Sequence, residues 1–161
     1  MIAMGIDPGT ARCGFGLIEA EGDRLKALEF GSIETHPKAR MQDRLEKIYD
    51  AVDGLMKKYQ PDVMGVEKLF FGRNATTAIP VGQARGVVLL AAAKNRIELA
   101  ELTPAEIKLS VTGYGGADKQ QVMFMIEKLL KIEERIALDD TADALAVAIA
   151  VAHAPRGARV M

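Results

Sequence analysis

One cysteine, two histidines and almost no net charge leave several common kinds of chemistry with little to work on. Cys13 alone cannot close an internal disulfide, and His36 and His153 make no cysteine–histidine cluster at zinc-ligand spacing, so a reducing cytoplasm is the expected setting. A formal charge of -1 advertises no polyanionic partner, although a basic patch can hide inside a neutral total. No apolar run approaches the ~20 residues that cross a bilayer, and Met1 to Asp7 lacks a basic start followed by a long apolar stretch; a soluble, untargeted protein is expected. Repeats and low-complexity segments are missing too. What is present is 161 residues that are 49% hydrophobic, enough for one buried core. A single domain over 1–154 is expected, with 155–161 as a short flexible tail.

Three strand-like runs open the chain, Met1 to Ile6, Cys13 to Ala20 and Ala27 to Thr35, separated by glycine and charged turn residues. From Met41 to Tyr59 apolar side chains recur at three-and-four spacing, which predicts an amphipathic helix stopped by Pro61-Asp62. Val63 to Glu67 reads as a central parallel strand ending on a charge, Ala75 to Lys94 as a helix, and Ile97 to Leu102 as a last strand. The second helix is apolar all round over Val87 to Ala93, so it needs cover on more than one side, either within the domain or from a second subunit. Thr103-Pro104-Ala105-Glu106 and Asp118 with Gln121 are helix starts, and Asp140 to Ala152 forms the closing helix. The sum is an α/β fold with a five-stranded mixed sheet, three antiparallel strands then two parallel, and helices on both faces. That order resembles the ribonuclease H-like arrangement.

Four acids stand out. Asp7 and Glu67 each end an apolar strand with no basic residue inside it, a costly place for a charge without a partner. Asp140 and Asp143 lie three apart at the start of the last helix, on one face and within one turn. Capping could account for Asp140, and a turn before Pro8-Gly9 for Asp7, but capping does not require Asp143 in front of the apolar run Ala144 to Ala150. Asp139 reads as a bystander. Hard carboxylate oxygens with no histidine among them suit magnesium or manganese. Two such ions, ~3.5–4 Å apart in sites of this type, would turn the mutual repulsion into coordination and support phosphodiester hydrolysis.

The segments Gly5-Ile6-Asp7-Pro8-Gly9-Thr10, Val66-Glu67-Lys68-Leu69-Phe70, Gly82-Gln83-Ala84-Arg85-Gly86-Val87 and Asp140-Thr141-Ala142-Asp143-Ala144-Leu145-Ala146 together resemble the bacterial RuvC resolvase family over nearly the whole chain. The resemblance implies that Asp7, Glu67, Asp140 and Asp143 are catalytic, metal-binding acids. It implies a homodimer that nicks two opposing strands of a four-way DNA junction, leaving 5′-phosphate and 3′-hydroxyl ends. It implies further a junction-binding protein and a branch-migration motor as pathway partners. Phe70 holds the place of an aromatic that stacks on an unpaired base, with Phe71 a second candidate; one of the two is expected to pack into the core. Lys108 and Lys119 match basic positions along the DNA path, and Arg73 and Arg85 are plausible additions, though each could be an ordinary surface charge. Cys13, His36 and His153 are read as structural.

Other readings are open to the sequence. Asp7-Pro8-Gly9-Thr10 is also similar to the first phosphate loop of sugar kinases and actin-like ATPases, but those proteins need two such domains and a second glycine-rich loop. A related protein acting on RNA, or a non-catalytic DNA-binding dimer, is the other alternative; a full set of four acids disfavours loss of activity.

Overall fold

The structure is a computed structural model that describes residues 1–70 and 75–154. Phe71, Arg73 and the tail 155–161 lie outside the described residues. Strands β1 (Ile2–Asp7), β2 (Arg12–Glu21) and β3 (Arg24–Glu34) form the antiparallel meander. The meander is longer than expected at its turn: pairing runs out to Glu21 opposite Arg24, leaving Gly22 and Asp23 to reverse the chain. Gly22 takes a positive φ of 58°, the backbone a two-residue hairpin requires. Helix α1 (Met41–Tyr59) crosses to β4 (Val63–Glu67), which pairs parallel with β1. Helix α2 (Ala75–Lys94) leads to β5 (Glu98–Leu102), parallel to β4, and α3 (Pro104–Thr112), α4 (Lys119–Leu129) and α5 (Asp139–His153) follow. The sheet order is β3-β2-β1-β4-β5, the five-stranded mixed sheet expected. Both capping boxes form, Thr103 with Glu106 and Asp118 with Gln121.

Helices α1 and α2 cover one face, where Ile48, Val52, Met56, Ala84 and Val88 pack on Met4, Ile6, Met64 and Val66. Helices α3, α4 and α5 cover the other, with Ile107, Val111, Ile126 and the apolar body of α5 packed on Ala3 and Val63. Strand side chains alternate between faces, so Ala3, Gly5 and Asp7 point toward α5, as do Val63, Gly65 and Glu67.

That alternation has a specific result. The register places Gly16 opposite Gly5, Gly5 beside Gly65, and Gly65 beside Ala100, a row across four strands with almost no side chain. Helix α5 lies in this trough. A methyl on Gly5 would overlap the Ala144 carbonyl oxygen and the Ala148 amide nitrogen, and one on Gly14 would overlap the Asp140 carbonyl. Small residues on both partners let backbone approach backbone.

Thr76–Lys94 within α2 is long and apolar enough to cross a membrane by length and composition, which corrects the expectation that no segment comes close. The reason lies in its packing. One side of the helix sits on the sheet, while Ile79 (66% exposed) and Leu90 (54%) stay uncovered, so it is apolar toward two surfaces. Only 28% of the segment is buried within the chain, so its outward side stays uncovered while Ala84, Val88, Ala91 and Ala92 join the core.

Substituting Gly5→Ala is expected to cost about 3 kcal/mol in a urea titration, because the new methyl meets helix backbone that cannot turn aside. Gly54→Ala in α1, where a Cβ meets nothing within 4 Å, should instead gain about 0.5–1 kcal/mol. An unchanged midpoint for Gly5→Ala would mean that α5 is not seated in the trough.

Candidate active site

Asp7 ends β1 and lies opposite Gly14 of β2, the residue whose missing side chain admits the Asp140 backbone. Three elements therefore bring their acids to one edge of the sheet: Asp7 from β1, Glu67 from β4, and Asp140 and Asp143 from the first turns of α5. Their fields overlap. Burial, then Asp143, Asp140 and Glu67, push the Asp7 carboxyl up to about 7, and Asp7 shares a hydrogen bond with Asp140. Burial and Asp143 likewise raise Glu67, against the opposing pull of Lys108. Asp143 is raised by burial; Lys119 pulls it back, while Asp139 and Asp140 push it further up.

The capping explanation for the helix acids does not hold. Helix α5 starts at Asp139, one residue earlier than expected, and its N-cap is Leu138, with no side-chain cap bond. Asp139 points to Lys119 instead, whose ammonium donates to it at 3.0 Å. Glu67, Asp143, Lys108 and Lys119 line a common cleft of about 300 Å³, together with Pro104 and Ile107. Two acids expected at the metal and two cations expected on the DNA path thus share one opening. Among the described residues no three Asp, Glu, His or Cys side chains already surround a common point as metal ligands. The chain alone displays a concentrated negative field rather than a finished coordination sphere. Its donor chemistry, carboxylate oxygen throughout, fits a hard divalent cation.

The remaining candidates separate. Phe70, three residues past the end of β4, stands 71% exposed. Arg85 requires a correction: it is 8% exposed, its guanidinium donates to the Glu67 carbonyl at 2.9 Å, and it pairs with Glu101. A side chain so occupied is no free cation for DNA. Glu101 was not among the residues expected at the site, although an acid in a buried strand and an arginine in an apolar helix are mutual signals. Cys13 is fully buried and its thiol is pushed up to about 12 by that burial, in keeping with a structural role. His153 contacts the Ser110 hydroxyl at 3.2 Å, and His36 accepts from the Lys38 amide.

A mixed sheet of this order, with carboxylates gathered where β1, β4 and the last helix meet, defines a ribonuclease H-like nuclease. The family model described as "Crossover junction endodeoxyribonuclease RuvC" matches residues 3–153. Relatives of that name include one from Heliobacterium modesticaldum, 50% identical over 95% of this chain and 94% of its own length, and one from Desulforamulus reducens, 51% identical over 92% and 91%. The solved structure of Thermus thermophilus RuvC in complex with Holliday junction substrate is similar at a TM-score of 0.89 and 30% identity, covering 93% of this chain and 92% of that one. The chain belongs to the RuvC family of crossover junction endodeoxyribonucleases. That membership sets aside the nucleotide-binding and RNA-directed alternatives.

The Asp7 carboxyl titrates higher in the fold than the 3.8 it has when free. Its ionisation therefore costs nothing below pH 3.8, opposes folding increasingly as pH rises, and opposes it in full above about 7. In chelator at pH 8, Asp7→Asn should be more stable than the parent by about 1–3 kcal/mol, a range discounted for partial solvent access. The gap should close near pH 4 and shrink when magnesium is added. Parallel stability curves for the two proteins across this pH range would show that Asp7 does not sit in a shared negative field.

Proposed function

We propose that this chain resolves four-way DNA junctions as a homodimer, each copy nicking one of two opposing strands to leave 5′-phosphate and 3′-hydroxyl ends. Residues 1–154 act as one nuclease unit in this reading, in the bacterial cytoplasm. The observation that carries it is the convergence of Asp7, Glu67, Asp140 and Asp143 in one field, on elements far apart in the chain. These acids would hold two magnesium or manganese ions. When bound, such ions activate water for in-line attack and stabilise the departing oxygen.

The chain's own residues do the rest. Lys108 and Lys119 stand in the same cleft as Glu67 and Asp143, placing positive charge where a phosphate would enter. Lys119 pairs with Asp139 at the solvent side and also pulls the Asp143 carboxyl down, so its ammonium stands beside the acids. Exposed Phe70 offers a ring on which a splayed base can stack, worth about 1–3 kcal/mol per base. Phe71 and Arg73 are proposed as additional DNA contacts.

Two equivalent scissile strands call for a two-fold protein. The uncovered stripe Ile79, Gly82, Gly86 and Leu90 on α2 supports an interface there, since both glycines leave open space where a second helix could approach closely. A junction-binding protein and a branch-migration motor are proposed partners on family grounds.

Asp7→Asn and Glu67→Gln proteins are expected to bind a four-way junction with parental affinity in chelator, yet to nick it at least about a hundredfold more slowly with magnesium or manganese. Linear duplex of the same sequence should stay intact, and chelator should abolish cutting by the parent. Near-parental nicking by either variant would remove that acid from the mechanism. Lys108→Ala should lower the salt dependence of junction binding by about one ion; an unchanged slope would take Lys108 off the phosphate path.

A further inference from the structure

Arg85 is an expensive residue in its place. From Ala84 to Ala93 it is the one charged side chain in α2, and it is almost wholly buried. A buried guanidinium persists only where its donors are used. Here Nη1 donates to the Glu67 carbonyl at 2.9 Å and Nη2 pairs with the Glu101 carboxylate. Glu101 is paired in register with Val66, next to Glu67, and the Lys68 amide donates to the Leu102 carbonyl at 2.8 Å. These bonds fall where the parallel ladder ends and the chain leaves the sheet.

Arg85 reaches that point from the α2 face, with Ala84 and Val88 beside it in the cluster on that side. The Glu67 carboxylate projects toward the α5 face, by the alternation of Val63, Gly65 and Glu67. Backbone and side chain of one residue are therefore governed from opposite faces of the sheet. A strand end held by ladder bonds alone frays, and a carboxylate whose main chain moves by an ångström loses its register with Asp7 and Asp143. Apolar packing could not substitute, because the carbonyl needs a donor. Lysine could not either, since its point charge cannot serve carbonyl and carboxylate as a planar fork does.

We propose that Arg85, held by Glu101, is a positioning residue that clamps the end of β4 and so sets the placement of the Glu67 carboxylate for divalent metal. The inference rests on the metal-binding role of Glu67. Its test uses the full-length protein carrying Arg85→Met, Arg85→Lys, Glu101→Gln or Glu67→Gln. Manganese binding is read without DNA from the paramagnetic resonance of the free ion. The manganese concentration for half-maximal nicking, junction affinity in chelator and thermal unfolding are measured alongside.

Arg85→Met and Arg85→Lys are expected to weaken manganese binding about 10–100-fold and to move the nicking midpoint by the same factor, with junction affinity in chelator unchanged. Glu101→Gln, which keeps an acceptor, should shift both by less. Should Arg85→Met fail to fold, the lysine and glutamine variants carry the comparison. Folded variants with parental manganese affinity and only a lowered unfolding temperature would overturn the proposal, leaving Arg85 as a stabilising residue alone. Lost junction binding with unchanged manganese affinity would overturn it in favour of a DNA or dimer contact. If Glu67→Gln itself binds manganese like the parent, the role of Glu67 fails first and the clamp falls with it.

Discussion

Helix α5 rests on a strip of sheet from which side chains have been removed, and the placement of every acid depends on that contact. Gly16, Gly5 and Gly65 lie side by side in the register, and Ala144, Ala148 and their neighbours lie directly over them. Dispersion gains from such close approach accumulate over the helix length, and its residues from Thr141 to Val151 are all buried except Asp143. A helix seated so deeply has no freedom to slide. Its first turns must therefore emerge beside the ends of β1 and β4, where Asp7 and Glu67 stand. A one-residue slip of either strand would send its acid to the α1–α2 face, so register and function are fixed by the same pairing.

The gathering of charge then works against the fold that produces it. Asp7, Glu67 and Asp143 are each raised by burial and by other acids, and Lys108 and Lys119 offset only part of this from the cleft wall. Both cations sit on helices opened by capping boxes, α3 after Thr103 and α4 after Asp118, so local hydrogen bonds at two helix starts fix where positive charge faces the acids. Lys119 keeps its ammonium on Asp139, at the solvent side, rather than on Asp143. That arrangement leaves the inner carboxylates only partly offset. A site meant only for stability would have closed these pairs; one that leaves them open is suited to binding cations and phosphate.

Local signals were readable without coordinates. The two capping boxes, the period of α1 and the strand-ending acids each depend on residues close in sequence, and each appears where expected. The trough was not readable, because Gly5, Gly16 and Gly65 become a row only once three strands are paired. Arg85 was misassigned for a similar reason. A cation in a helix looks available until the fold shows that Glu67 and Glu101 consume its donors, and those partners lie 16 to 18 positions away on another layer. Apolarity all round α2 was legible as a need for double cover, yet its length in apolar composition also met the measure of a membrane span. Composition alone cannot tell a sheet from a lipid or from a second helix.

Helix α2 is where the two levels of the structure meet. Its buried side carries Ala84, Arg85 and Val88 against the sheet, and its uncovered side carries Ile79, Gly82, Gly86 and Leu90. Pro80 lacks the amide that would donate within the helix near its start, and the run from Val81 to Lys94 beyond it carries Gly82, Arg85, Gly86 and Leu90 together, so a displacement of that run moves both sides at once. Apolar contacts would absorb such a displacement by small rotamer changes. The bonds from Arg85 to Glu67 and Glu101 are directional, so they would not. A copy of the chain seated on the exposed stripe would thus press on the strand end that carries Glu67, through a charged fork rather than through compliant packing. Tying the proposed metal site to a helix with an uncovered apolar side gives a physical route by which the proposed pairing of two copies would bear on the geometry of each cut.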